Sequence, residues 1–161
     1  MKRETKVVRR LVKHSLSLCT AESCTGGLVA GRITGVSGAS GCFEGGFITY
    51  SNAAKMRLIG VPEKLIANCG AVSDETARAM AEGARGKLGT DVSVAVTGIA
   101  GPTGGTPDKP VGTVYIAVAR KGKTSVRKFL FTGTRHRIRT QTTEEALKFV
   151  LDEVEEMLGA S

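Results

Sequence analysis

The sequence predicts an α/β fold, a three-layer α/β/α single domain around a mixed, mainly parallel sheet. Apolar residues at helical spacing alternate with short extended stretches along most of the chain. Glycine-rich turns separate these stretches, with no linker, internal repeat or low-complexity tract between them. The last two extended stretches are joined by a tight turn and read as a hairpin, so the sheet is not wholly parallel. At 161 residues the chain fits one domain, 1–161, large enough to bury a core without disulfides or metal.

The elements follow in order. Residues 4–14 carry Val7, Val8, Leu11 and Val12 at helical spacing, with cations around the rest of the wheel. Alternation over 16–21 predicts a strand, and Gly26-Gly27 opens a helix over about 26–34. The Gly/Ser-rich run 35–46 reads as a loop, Phe47-Ile48-Thr49-Tyr50 as a strand, 53–59 as a short helix, and the residues after Pro62 as a further helical turn. Ser73 is the expected N-cap of a helix bearing Asp74 and Glu75 in its first turn and burying Ala77, Met80, Ala81, Ala84 and Leu88. A buried strand over 92–97 ends at Gly98, and strands at 113–119 and 125–131 meet through Lys121-Gly122-Lys123. The capping-box pattern Thr142-x-x-Glu145 predicts the start of a last helix, which buries Leu147, Val150, Leu151, Val154 and Leu158.

Composition removes several functions. Hydrophobic content of 41% with 24% charged residues is that of a globular domain, and no apolar run reaches the length of a membrane span. The first ten residues lack the apolar region of a secretory signal, so a cytoplasmic location is expected. Cys19, Cys24, Cys42 and Cys69 match no zinc spacing, and His14 and His136 stand apart from them. The cysteines are expected to be reduced, with no metal site. The net charge of +8 is local: nine Lys/Arg and no acid lie in 109–143, leaving fourteen basic against fifteen acidic residues elsewhere. Such a segment suits a phosphate-bearing small ligand or a polyanion. With five Phe, two Tyr and no Trp, stacking platforms for single-stranded nucleic acid are scarce.

Three segments have the pattern of a site. Ala21-Glu22-Ser23-Cys24-Thr25-Gly26-Gly27 puts a hydroxyl and a thiol at a strand-to-helix turn, beside backbone N–H groups and the positive end of a helix dipole. Such a turn suits a nucleophile beside a developing oxyanion; it is equally a capped tight turn. Thr49-Tyr50-Ser51-Asn52-Ala53-Ala54-Lys55 is a second strand-to-helix junction that can face the same sheet end. There Lys55 serves as a base if burial lowers its pKa, and Tyr50 can relay or orient a proton. The third runs from Val96 through Gly98, Gly101, Gly104 and Gly105 to Gly112. It is too glycine-dense for a linker and is neither a Walker loop nor a GxGxxG turn. Downstream, Gly133-Thr134-Arg135-His136-Arg137-Ile138-Arg139 clusters guanidiniums suited to phosphate.

In this order, AESCTGG, ITYSNAAK, VTGIAGPTGGTPDKPVGTVYIA and GTRHRIRTQT resemble the CinA C-terminal domain family over nearly the whole chain. Stand-alone members of that family include bacterial nicotinamide-nucleotide amidohydrolases. No counterpart of the molybdopterin-binding-like domain of the larger CinA proteins lies in these residues, so its activities are not carried over. The resemblance implies hydrolysis of nicotinamide mononucleotide to nicotinate mononucleotide and ammonia, without metal or other cofactor. It makes Ser23 the nucleophile, assisted by Lys55 and Tyr50. The family often has Gly-Asp-Arg where this chain has Gly133-Thr134-Arg135, which removes an acidic neighbour of Arg135.

On this reading Lys55 takes the Ser23 proton and the N–H groups of Thr25, Gly26 and Gly27 hold the oxyanion. The substrate phosphate rests on Thr97, Gly98, Ala100 and Gly101 with Arg135 or Arg139. A Cys24 nucleophile would leave Lys55 and Tyr50 without a role, since no His is placed as its partner. The partners expected are a small nucleotide substrate and further copies of the chain, a homo-oligomer, with no membrane and no nucleic acid. The alternatives are a catalytically weak nucleotide-binding or regulatory module and a basic nucleic-acid-associated accessory protein.

Overall fold

A computed structural model describes residues 1–159, so the last two residues of the expected 1–161 domain lie outside the described part. Six α-helices flank one five-stranded sheet: α1 (Arg3–Lys13), β1 (Leu18–Glu22), α2 (Leu28–Thr34), β2 (Phe43–Ile48), α3 (Asn52–Ile59), α4 (Glu63–Cys69), α5 (Asp74–Leu88), β3 (Val92–Gly98), β4 (Thr113–Arg120), β5 (Lys123–Leu130) and α6 (Arg135–Gly159). The strand order is β2-β1-β3-β4-β5. β1 pairs in parallel with both β2 and β3, and the β3–β4 and β4–β5 ladders are antiparallel. Only β4 therefore runs against the other strands. No helix among the described residues is long and apolar enough to cross a membrane.

Alternation along the central strands sorts the core into two layers. Leu18, Val92, Val94, Val96, Val114, Ile116 and Val118 face α1, α2 and α6, which add Val7, Leu11, Val29, Ile33, Leu147 and Phe149. The opposite face is lined by smaller side chains: Cys19, Ala21, Ala95, Ala117 and Ala119 meet Ala77, Met80, Ala81 and Ala84 of α5. These small residues let α5 lie close to the sheet, and the Ser93 hydroxyl donates to Ala81 O at 2.5 Å.

Three boundaries differ from expectation. The strand expected from Phe47 begins at Phe43, inside the run read as a loop. Gly46 passes β1 so closely that a Cβ there would collide with Thr20 Oγ1; the glycine marks a close approach of two strands, not a turn. The hairpin turn is Lys121-Gly122 alone, since Lys123 already pairs with Arg120. The last helix starts seven residues before Thr142. Its first turn is capped by Thr134, whose hydroxyl accepts the Arg137 N–H at 3.2 Å. Thr142 is buried in mid-helix and donates back to Ile138 O at 2.7 Å.

Candidate active site

Three strands running the same way end together, which brings the segments after β1, β2 and β3 to one edge of the sheet. Ser23 follows β1 directly, and its N–H donates to Val96 O at 3.0 Å, tying the turn to β3. Gly26 (φ +56°) and Gly27 (φ +106°) then turn the chain into α2 through left-handed conformations that favour glycine. Glu22, 1% exposed, does not point to Ser23. Its carboxylate accepts from Thr25 Oγ1 at 2.7 Å, Val29 N at 2.9 Å and Ala30 N at 3.1 Å, at the N-terminal turn of α2.

Ser51 caps α3 by accepting the Ala54 N–H at 3.0 Å, and one turn along the helix Lys55 points inward. Its Nζ lies 3.1 Å from Ser23 Oγ, 3.0 Å from Thr49 O and 3.4 Å from Tyr50 O. Lys55 is 1% exposed, and this burial holds its pKa below the usual lysine range. A neutral amine fits these partners: two N–H groups for two carbonyls and one lone pair for the Ser23 hydroxyl. Cys24 lies on the same wall, but burial pushes its thiol up to about 12, so it is not a thiolate at neutral pH.

The loop after β3 forms the opposite wall. Thr97 Oγ1 donates to Ala71 O at 2.7 Å, and Ile99 exchanges backbone bonds with Thr113 and Gly112 at 2.9 and 2.8 Å. Gly101 has φ +76°, and a Cβ there would meet Val111. Arg135, from the first turn of α6, donates to Gly101 O at 2.8 Å and to the Tyr50 hydroxyl at 3.0 Å. The cavity between these walls measures about 270 Å³.

Ser23, Lys55, Tyr50, Thr97, Gly98, Ala100, Gly101 and Arg135 share this cavity. Thr25, Gly26, Gly27 and Arg139 are not on its wall. The Gly26 N–H is engaged by Ser23 O at 3.0 Å, and Thr25 is folded onto Glu22. Arg139 instead donates to Cys24 O at 3.0 Å and Thr25 O at 3.1 Å, behind the turn. The Tyr50 hydroxyl meets Arg135, while the Tyr50 carbonyl is what meets Lys55. Sequence reasoning singled out neither Asn52 nor Ala71 and Val72, which also line the cavity. Asn52 sat unremarked in the Lys55 segment. Ala71 and Val72 precede the Ser73 cap without any local signal; Thr97 holds Ala71 O, and Ser73 and Thr76 hold the preceding Gly70 O.

The basic segment is divided. On the hairpin, Arg120 pairs with Glu153 at 3.2 Å, Lys123 with Glu156 at 2.7 Å and Arg127 with Asp152 at 2.8 Å. Three of the nine cations of this segment are therefore matched by acids of α6, and Arg135 is the one of the nine that reaches the cavity wall.

Comparison with known proteins places these features in context. The family model described as the CinA C-terminal domain matches residues 1–154. A CinA-like protein of Geobacter sulfurreducens is 54% identical over 147 residues, which is 91% of this chain and 36% of that protein. A putative competence-damage inducible protein of Moorella thermoacetica is 50% identical over 85% of this chain and 33% of its own length. The chain thus spans about a third of the length of these curated relatives. Among solved structures, a competence/damage inducible protein of Agrobacterium tumefaciens matches with TM-score 0.88 at 39% identity, covering 94% of this chain and 96% of that one. A CinA superfamily protein of Klebsiella pneumoniae matches with TM-score 0.92 at 30% identity, covering 96% of both chains.

Proposed function

The chain belongs to the CinA C-terminal domain family, and from that premise we propose that it is a serine amidohydrolase of nicotinamide mononucleotide, producing nicotinate mononucleotide and ammonia. The observation that carries the reading is the contact of 3.1 Å between Ser23 Oγ and a buried Lys55 Nζ whose pKa is lowered. A lysine kept neutral beside a hydroxyl is an activated-nucleophile arrangement that needs no histidine. The cavity adds Arg135 for an anionic group, and the apolar Val72 and Ile99 for a ring.

In the proposed reaction Lys55 accepts the Ser23 proton as Oγ bonds to the carboxamide carbon. The resulting ammonium returns that proton to the amide nitrogen, the C–N bond breaks, and ammonia leaves a nicotinoyl ester on Ser23. Lys55 next removes a proton from water, hydroxide adds to the ester, and the proton returns to Ser23 Oγ as nicotinate departs. The developing oxyanion is assigned to backbone N–H groups of Ala100 and Gly101, because these residues line the cavity and the 25–27 turn does not. Tyr50 links the two ends of the site, its carbonyl on Lys55 and its hydroxyl on Arg135. The working state is proposed to be a cytoplasmic homo-oligomer. Exposed Ile48 (56%) and Leu58 (46%) near the β2 edge support a covered face there, which sedimentation would measure.

The test is ammonia release from nicotinamide mononucleotide by the wild type and by Ser23→Ala, Cys24→Ala and Lys55→Ala. Loss in the Ser23 and Lys55 variants with retention in Cys24→Ala is the expected result. Full activity in Ser23→Ala overturns the mechanism, and loss in Cys24→Ala alone transfers the nucleophile to the thiol.

A further inference from the structure

Glu22 and Arg139 line no part of the cavity, yet both hold the turn that carries Ser23. The turn offers donors on one side and acceptors on the other. Glu22 takes the donors, Thr25 Oγ1 at 2.7 Å, Val29 N at 2.9 Å and Ala30 N at 3.1 Å. Arg139 serves the acceptors, giving Nε to Cys24 O at 3.0 Å and Nη2 to Thr25 O at 3.1 Å. Thr25 is therefore gripped twice, by its hydroxyl and by its carbonyl. Gly26 lies directly under this contact, since a Cβ there would stand 3.4 Å from Arg139 Nη2, and its φ of +56° is what favours glycine.

We propose that Glu22 and Arg139 are a pair of positioning residues that clamp the Ser23 turn from its two sides and keep the hydroxyl on Lys55. The proposal rests on the reading of Ser23 as nucleophile. Arg139 follows Arg135 by four residues, so one stripe of α6 fixes both the 97–101 wall and the Ser23 turn. The guanidinium fork matters because it reaches two carbonyls from one rigid plane, which an ammonium does not do. The Glu22 carboxylate matters because its three partners are all donors, and a neutral amide meets them with one oxygen only. Neither residue lines the cavity, so their removal acts on the reactivity of Ser23 and leaves the binding wall in place.

The experiment measures how fast a fluorophosphonate probe labels Ser23 in the intact chain, followed by mass spectrometry. There Ser23 Oγ bonds to phosphorus, fluoride leaves and the proton passes to Lys55. The variants are Arg139→Gln, Arg139→Lys and Glu22→Gln, beside Arg120→Gln, which breaks an ion pair on the far part of α6. Misplacement of a reacting group by about 1 Å costs about 10²-fold, and a loss of that order in labelling is expected for Arg139→Gln and Glu22→Gln. Arg139→Lys should recover little of it. Arg120→Gln should label at the wild-type rate even though its melting temperature falls. In ammonia release the loss should appear in kcat with KM unchanged. Wild-type labelling rates in folded Arg139→Gln and Glu22→Gln overturn the clamp, and if Arg139→Gln does not fold, Arg139→Lys and Glu22→Gln decide. A wild type that labels at Ser23 but releases no ammonia removes the substrate and leaves the clamp standing. One whose Ser23 does not label removes both.

Discussion

At the N-terminal end of α6, Arg135 and Arg139 donate to the backbone carbonyls of Gly101, Cys24 and Thr25. Along its C-terminal half, Asp152, Glu153 and Glu156 pair with Arg127, Arg120 and Lys123 of the hairpin. The two regions draw their cations from one basic segment and use them differently. A guanidinium held by carbonyls keeps its full charge and can face an anion, whereas one held by a carboxylate is neutralised and closes an edge of the sheet. Local net charge thus locates candidate anion sites only after the partners of each cation are known.

If the α6 N-terminal region serves chemistry and the hairpin region serves stability, their variants must separate. The largest effect is expected for Lys55→Met, which keeps a buried apolar stem. Removing a general base should lower kcat by about 10²–10⁴-fold in the ammonia assay without loss of folding. The folded-state pKa of Lys55 is lowered, so between that value and the ordinary lysine value the unfolded chain binds more protons and stability rises with pH. Melting across this range should show the wild type gaining on Lys55→Met as pH rises, while turnover should rise through the folded-state pKa at the low end of the range and level off above it. A pH-independent difference in melting would break the assignment of a neutral Lys55.

Arg120→Gln comes next. It leaves Glu153, whose side chain is 7% exposed, without its closest cation, and should cost about 3 kcal/mol in denaturant unfolding with turnover per folded molecule unchanged. Arg135→Gln should do the reverse. A hydrogen bond to a charged group contributes about 1.5–3 kcal/mol, so KM for the mononucleotide should rise about 10–100-fold with little change in melting. Equal KM values for wild type and variant would detach the phosphate from Arg135. The smallest effect lies at Asp152. Burial pushes its carboxyl up, but hydrogen bonds from Arg127 and Lys148 outweigh this and bring it below the usual aspartate range. Its contribution is present above the unfolded-state pKa and is lost as pH falls through the lower folded value. Because the Arg127–Asp152 pair is more than a third exposed, Asp152→Asn should remove less than about 1 kcal/mol of that acid-side dependence.

Where periodicity and capping chemistry are local, sequence and structure agree closely. α5 with its Ser73 cap, β3 ending at Gly98 and the antiparallel hairpin were all legible. The β2 start was not, because Gly45 and Gly46 look like turn residues until Thr20 is seen beside them. Nor was the α6 start, because the polar run at 135–143 hides a stripe of Ile138, Thr142 and Thr143 that becomes apparent only when buried. In the site, the sequence leads one to expect Ser23 and Lys55 together but leaves the phosphate contact open between Arg135 and Arg139, and gives no sign that either arginine braces the turn. Those two lie on one helix face a turn apart, and only the packing of α6 against the β1 turn separates them.

What the sequence alone determined was the class of the fold, its family and the chemical inventory of the site, since these depend on residue type and on spacing along the chain. The tertiary structure decided the rest. A lysine that is neutral and free to accept a proton needs burial, which no local pattern specifies, and the sheet edge supplies it by placing Lys55 between Ser23 and two carbonyls. The fate of each cation likewise depends on what faces it across the fold, and for Arg135, Arg139 and Arg120 that partner is from 33 to 115 residues away in the chain.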